Sequence, residues 1–142
     1  MDLNLAVKIS LLLSGLFLLN GMITGVWKYS RIMSSPDHKA PVYVDIAHRA
    51  SFFYSFASLV IAALINYSPF SRAWQVAVTV FPLAYFAITV AGYMKEGYLD
   101  RTDNMFSERN FVTTYFMYGL IFGEIGGLVL ILGGFIYTQF IF

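Results

Sequence analysis

The chain has 142 residues, of which 58% are hydrophobic, 18% aromatic and only 12% charged. Soluble globular domains carry about 25% charged residues, so an ordinary soluble domain is excluded. Nine Lys and Arg against eight Asp and Glu leave a net charge of +1, which argues against a nucleic-acid partner; the lack of cysteine rules out disulfides, iron–sulfur clusters, thiolate-ligated haem and a cysteine nucleophile.

A membrane helix takes about 20 mostly apolar residues, and four such stretches follow one another. The first covers residues 5–27. Its apolar part is longer than the core of a secretory signal, and it lacks a basic start and a small-residue cleavage site, so it is expected to stay as an uncleaved helix. A polar segment with Pro36 and Pro41 leads to the second stretch, residues 46–65, which closes at the turn signal Asn66-Tyr67-Ser68-Pro69. The third spans residues 72–94, a charged segment occupies 95–109, and the fourth runs over 111–142. None alternates as a membrane β-strand does. Short connections between helices imply an antiparallel arrangement. The expected fold is therefore all-α, a single integral membrane antiparallel four-helix bundle over residues 1–142, in contact with the lipid bilayer.

Seven of the nine basic residues (Lys28, Arg31, Lys39, Arg49, Lys95, Arg101 and Arg109) fall in or beside the first and third loops. The positive-inside rule then puts those two loops in the cytoplasm, in a bacterial inner membrane.

Ionisable and polar groups inside the spans are costly and mark candidate sites. In the first helix, Asn20 precedes the Gly21-Met22-Ile23-Thr24-Gly25 pattern, whose small residues suit close helix packing. At the start of the second helix stands Asp45-Ile46-Ala47-His48-Arg49-Ala50-Ser51. Helical spacing aligns His48, Ser51, Ser55, Ser58 and Ala62 in one stripe, which has room for either a neighbouring helix or a flat ligand. His48 is either an interfacial residue bonded to a loop carbonyl, or a metal or haem ligand through Nε2 with Nδ1 fixed by an acceptor. Asp45 and Arg49 have the spacing of a helical ion pair. His38 is the other histidine. The third helix carries the polar stripe Tyr85, Thr89, Tyr93 and Glu96 beyond Pro82. A tyrosine hydroxyl there serves either as an interfacial anchor or as a donor to a developing oxyanion. The fourth helix has Gly119, Gly123 and Gly127 four residues apart with Gly126, Gly133 and Gly134 beyond, a small-residue seam that permits close approach of helices within a subunit or between subunits. It also has a mid-span Glu124 whose candidate partners are Asn20, Thr24 and Arg49.

Four spans, a polar first loop and Ala47-His48 at the start of helix two resemble the membrane-integral styrene oxide isomerases and hydroxylaminobenzene mutases. The layout matches over nearly the whole chain. The resemblance implies a small helical homo-oligomer, in one form a trimer, with haem b at a subunit interface and His48 as its ligand. It also implies a small apolar aromatic substrate and a ferric iron acting as a Lewis acid, which turns an epoxide into an aldehyde or drives a related aromatic rearrangement. Ser51 and Ser55 fall beside the cofactor in this reading. The family has a polar amide about two turns past its histidine, where this chain has Tyr54 or its neighbours. Tyr93 and then Asn20 are the candidate polar contacts to substrate. Two other uses remain open: a non-catalytic subunit of a larger oxidase or monooxygenase complex, and a small carrier working through Glu124.

Overall fold

The computed structural model describes residues 3–141; residues 1, 2 and 142, the extremities of the expected domain, lie outside the described residues. Four helices follow in order: α1 (Leu5–Ser34), α2 (Val42–Ile65), α3 (Arg72–Leu99) and α4, whose α-helical body Met117–Ile136 lies between π-helical turns at Val112–Phe116 and Tyr137–Ile141. Each is long and apolar enough to cross a membrane. The chain is an integral membrane four-helix bundle, with no strand among the described residues.

Three helices are longer than the apolar stretches that announce them. Helix α1 continues to Ser34, just before Pro36; α2 begins at Val42, directly after Pro41; α3 continues to Leu99. It ends on Asp100, which takes left-handed backbone angles (φ 49°) and returns its N–H to the Glu96 carbonyl at 2.9 Å. Hydropathy marks only the part of a helix that belongs in lipid. Backbone hydrogen bonding carries it on into water until a proline or a left-handed residue stops it.

Contacts between successive helices run in opposite directions, as an antiparallel bundle requires. Ser14 of α1 meets Ser55 of α2, while Gly25, two turns or more along α1, meets His48, earlier in α2. Tyr43 and Tyr54 of α2 stack on Tyr93 and Phe86 of α3. On α4, Gly119 and Gly123 face Tyr85, and Gly127 faces Pro82. The interior is closed by Val44, Ile61, Ile65, Leu83 and Ile131. Outward, Leu12, Val26, Phe53 and Phe122 are exposed, the composition expected of a surface solvated by lipid tails. Lipid removes the hydrophobic drive between helices, so close backbone approach and hydrogen bonds have to hold them together.

Candidate functional site

His48 lies in the second turn of α2 against the glycine pair of α1. Its ring packs on Gly25, where an added Cβ would lie 2.9 Å from the imidazole Cε1. Phe52, one turn on, meets the ring edge to face (centroids 5.1 Å apart, planes at 81°) and covers Gly21. The two glycines are therefore notches for two rings. The His48 Nδ1 is 2.8 Å from the Gly21 carbonyl oxygen. A carbonyl only accepts, so this bond assigns the proton to Nδ1 and leaves Nε2 of the neutral ring as a lone-pair donor. The acceptor belongs to a helix, not to a loop.

The serine stripe of α2 is taken by α1. Asn20 Nδ2 donates to Ser51 Oγ (2.9 Å), which donates to the Ala47 carbonyl (2.7 Å). Ser55 Oγ donates to the Ser14 carbonyl (2.8 Å), and Ser14 Oγ donates to the Ser55 carbonyl (3.0 Å). Ser51, Ser55 and Ser58 are all buried. Of the two occupants this stripe suits, the neighbouring helix is the one present. Ser51 and Ser55 hold α1 at the distance that seats His48, and a flat ligand has no slot between these two helices. A flat apolar group has a face only on the outer flank of the pair, where Met22, Val26, Phe53 and Phe56 are exposed.

At the charged end of this flank, Asp45 receives Lys28 Nζ of α1 (2.5 Å) and Arg49 Nη2 (2.6 Å). The sequence spacing anticipated Arg49 in this pair; Lys28 comes from another helix and carried no sequence signal.

Tyr54 and Tyr93 are on the other side of α2. The Tyr54 ring stacks on Phe86 (4.2 Å, 11°) and tilts against Phe17 (6.0 Å, 53°). Tyr93 stacks on Tyr43 (6.0 Å, 23°). Both hydroxyls lie within electrostatic reach of each other and of Glu124. Asn20 links the two sides, because its amide also approaches the Met94 sulfur at 3.6 Å. The structure thus joins His48, Ser51 and Asn20 on one side and Tyr54, Tyr93 and Glu124 on the other.

Glu124 has none of the expected partners. Asn20 is bonded to Ser51, Thr24 to its own helix backbone and Arg49 to Asp45. Its Oε1 is buried without a hydrogen bond among the described residues. Burying an unpaired polar group is costly, and an apolar side chain of similar shape avoids the cost. Glu124→Met should therefore stabilise the fold by about 1 kcal/mol, seen as a raised unfolding midpoint in an SDS titration; a lowered midpoint would mean that the carboxyl has a partner.

Among the described residues no group of three His, Cys, Asp or Glu can hold a metal ion. A porphyrin iron does not need one, because the macrocycle fills four positions and a single imidazole suffices as protein ligand. The donor set fits haem in that sense, one oriented imidazole beside an apolar flank. No protein-family model matches the chain, and neither does any curated protein or solved structure.

Proposed function

We propose that the chain is a haem b-dependent membrane isomerase that converts an aryl epoxide to the aldehyde or carries out a related aromatic rearrangement. The observation that supports it is the His48 imidazole, held by the Gly21 carbonyl at 2.8 Å so that Nε2 is the ligating nitrogen. Ligating histidines characteristically have the other ring nitrogen fixed in this way. When bound, the haem supplies a Lewis-acidic iron for the substrate oxygen. In the reaction the benzylic carbon–oxygen bond breaks heterolytically, a hydride moves from the neighbouring carbon, and the carbonyl forms. No electron enters or leaves, so no reductant is consumed.

The chain's own residues hold and orient. His48 is the cofactor ligand, Gly25 gives its ring room, and Phe52, Phe53 and Phe56 give the flank its apolar surface. Tyr93, Tyr54 and Asn20 are the polar contacts through which a substrate oxygen is oriented, the tyrosines by donating from their hydroxyls. The proposed assembly is a homo-oligomer, a trimer in the family's pattern, with the His48 flank of each subunit at the interface. The Lys and Arg bias puts the loops between α1 and α2 and between α3 and α4 in the cytoplasm of a bacterial inner membrane. The rival reading, a non-catalytic subunit, has the glycine seam of α4 and the aromatic faces serve partner helices, and Gly126 and Gly133 of that seam meet nothing within 4 Å. Gly119, Gly123 and Gly127 are filled by Tyr85 and Pro82 of the same chain.

The test is a visible spectrum and an assay. Protein purified from cells supplied with iron should show a haem Soret band and convert an aryl epoxide to its aldehyde without added reductant. A colourless protein, after haem has been offered in detergent, would refute the proposal.

A further inference from the structure

The corner beside His48 holds two cations on one carboxylate. Asp45 is shared between Lys28 and Arg49, so the trio carries a formal charge of +1. Arg49 directly follows His48, and Lys28 lies three residues past Gly25, on which the His48 ring rests. At 3.6 residues per turn, Asp45, Arg49 and Phe52 fall to the outward side of His48 on α2. The Arg49 side chain is 62% exposed, and a guanidinium has five N–H donors, of which Asp45 uses only part. The other nearby arginine is already engaged, since Arg31 Nη2 holds Asp100 at 3.0 Å. Exposed ion pairs contribute little by themselves, so exchanging Asp45 for another carboxylate is nearly free.

Haem b is an apolar ring with two carboxylates. A membrane site that takes the ring on an apolar flank has to meet those charges with cations near the water boundary, because an unpaired charge in lipid is costly. We propose that Arg49 and Lys28 are the carboxylate anchors of this site and take the two propionates of haem b in exchange for Asp45; this rests on the reading of His48 as the haem ligand. Guanidinium suits the role because it meets carboxylates in a two-point fork.

The experiment follows transfer of haem from the purified, detergent-solubilised protein to a haem-free globin. Arg49→Gln should release haem b about tenfold faster than wild type, the effect of removing one charge-assisted hydrogen bond. Asp45→Asn, which frees both cations, should release it no faster than wild type. Reconstitution with haem b dimethyl ester, whose two carboxylates are both blocked, should accelerate release from wild type by more than the tenfold of Arg49→Gln, because the Lys28 contact is lost as well, and should accelerate Arg49→Gln by the Lys28 share alone, about tenfold. Equal acceleration in Asp45→Asn and Arg49→Gln would overturn the proposal, since the trio would then only clasp α1 to α2. Wild-type release rates in Arg49→Gln would overturn it too, as would full sensitivity of that variant to esterification. The His48 reading fails separately, by a wild-type protein without a haem band.

Discussion

His48→Ala should purify as a folded, colourless protein whose haem band returns when free imidazole is added. The fold survives because the imidazole makes one hydrogen bond, to the Gly21 carbonyl, and that carbonyl keeps Thr24 Oγ1 as a donor at 3.1 Å. Binding does not survive, because this imidazole is the sole protein ligand proposed. Losing an outer partner of a metal ligand costs roughly 10–100-fold in affinity, and losing the ligand itself must cost more. Gly25→Ala gives the graded version of the same result. Its Cβ would come within 2.9 Å of Cε1 and 3.2 Å of Nδ1, so the ring has to move off the Gly21 carbonyl. Haem affinity should fall toward that same roughly 10–100-fold range, with a shifted Soret maximum. Gly15→Ala on the same helix meets nothing within 4 Å and should leave the spectrum unchanged. A His48→Ala protein that keeps the wild-type band would end the ligand assignment.

The parts of this site were legible singly and the assembly was not. Four spans, their order and the antiparallel packing follow from hydropathy and loop length; Gly21 and Gly25 stand out as a small-residue pair suited to close packing, and His48 as a residue that does not suit lipid. What a single sequence does not contain is the register between helices. Whether the serine stripe faces a helix or a flat ligand depends on whether Ser55 comes level with Ser14, and nothing local to either residue decides that. Lys28 is hidden for the same reason: its carboxylate partner is on the next helix. Helical spacing within one element does succeed, as for Asp45 with Arg49. Glu124 shows the opposite limit. Its expected partners are polar groups of suitable type, but each has a nearer acceptor or donor. Gly119, Gly123 and Gly127 of α4 read correctly as packing residues, while Gly126 and Gly133 meet nothing within 4 Å and the Tyr85 ring that fills two of the notches belongs by spacing to a polar stripe.

Gly97→Ala should be the most damaging of the small substitutions, although Gly97 lies outside the glycine pattern that the sequence displays. A Cβ there would stand 2.8 Å from the Val44 backbone nitrogen and 3.0 Å from the Tyr43 carbonyl carbon. Backbone cannot rotate away as a side chain does, so α2 and α3 have to separate. Val44 is fully buried and Tyr43 nearly so, which transmits the shift into the Tyr43–Tyr93 stack and to the Tyr43 hydroxyl, the acceptor for the Met105 N–H at 2.5 Å. Overpacking of this kind costs about 1–3 kcal/mol, sometimes more, and should appear as a lower midpoint in SDS unfolding. Gly92→Ala, on the same helix, meets nothing within 4 Å. There the gain in helix propensity of about 1 kcal/mol acts alone, so the midpoint should rise. The two alanines add the same atom to the same helix and differ only in what faces them. Opposite signs follow if α2 and α3 touch backbone to backbone at Gly97; two gains of similar size would mean that they do not.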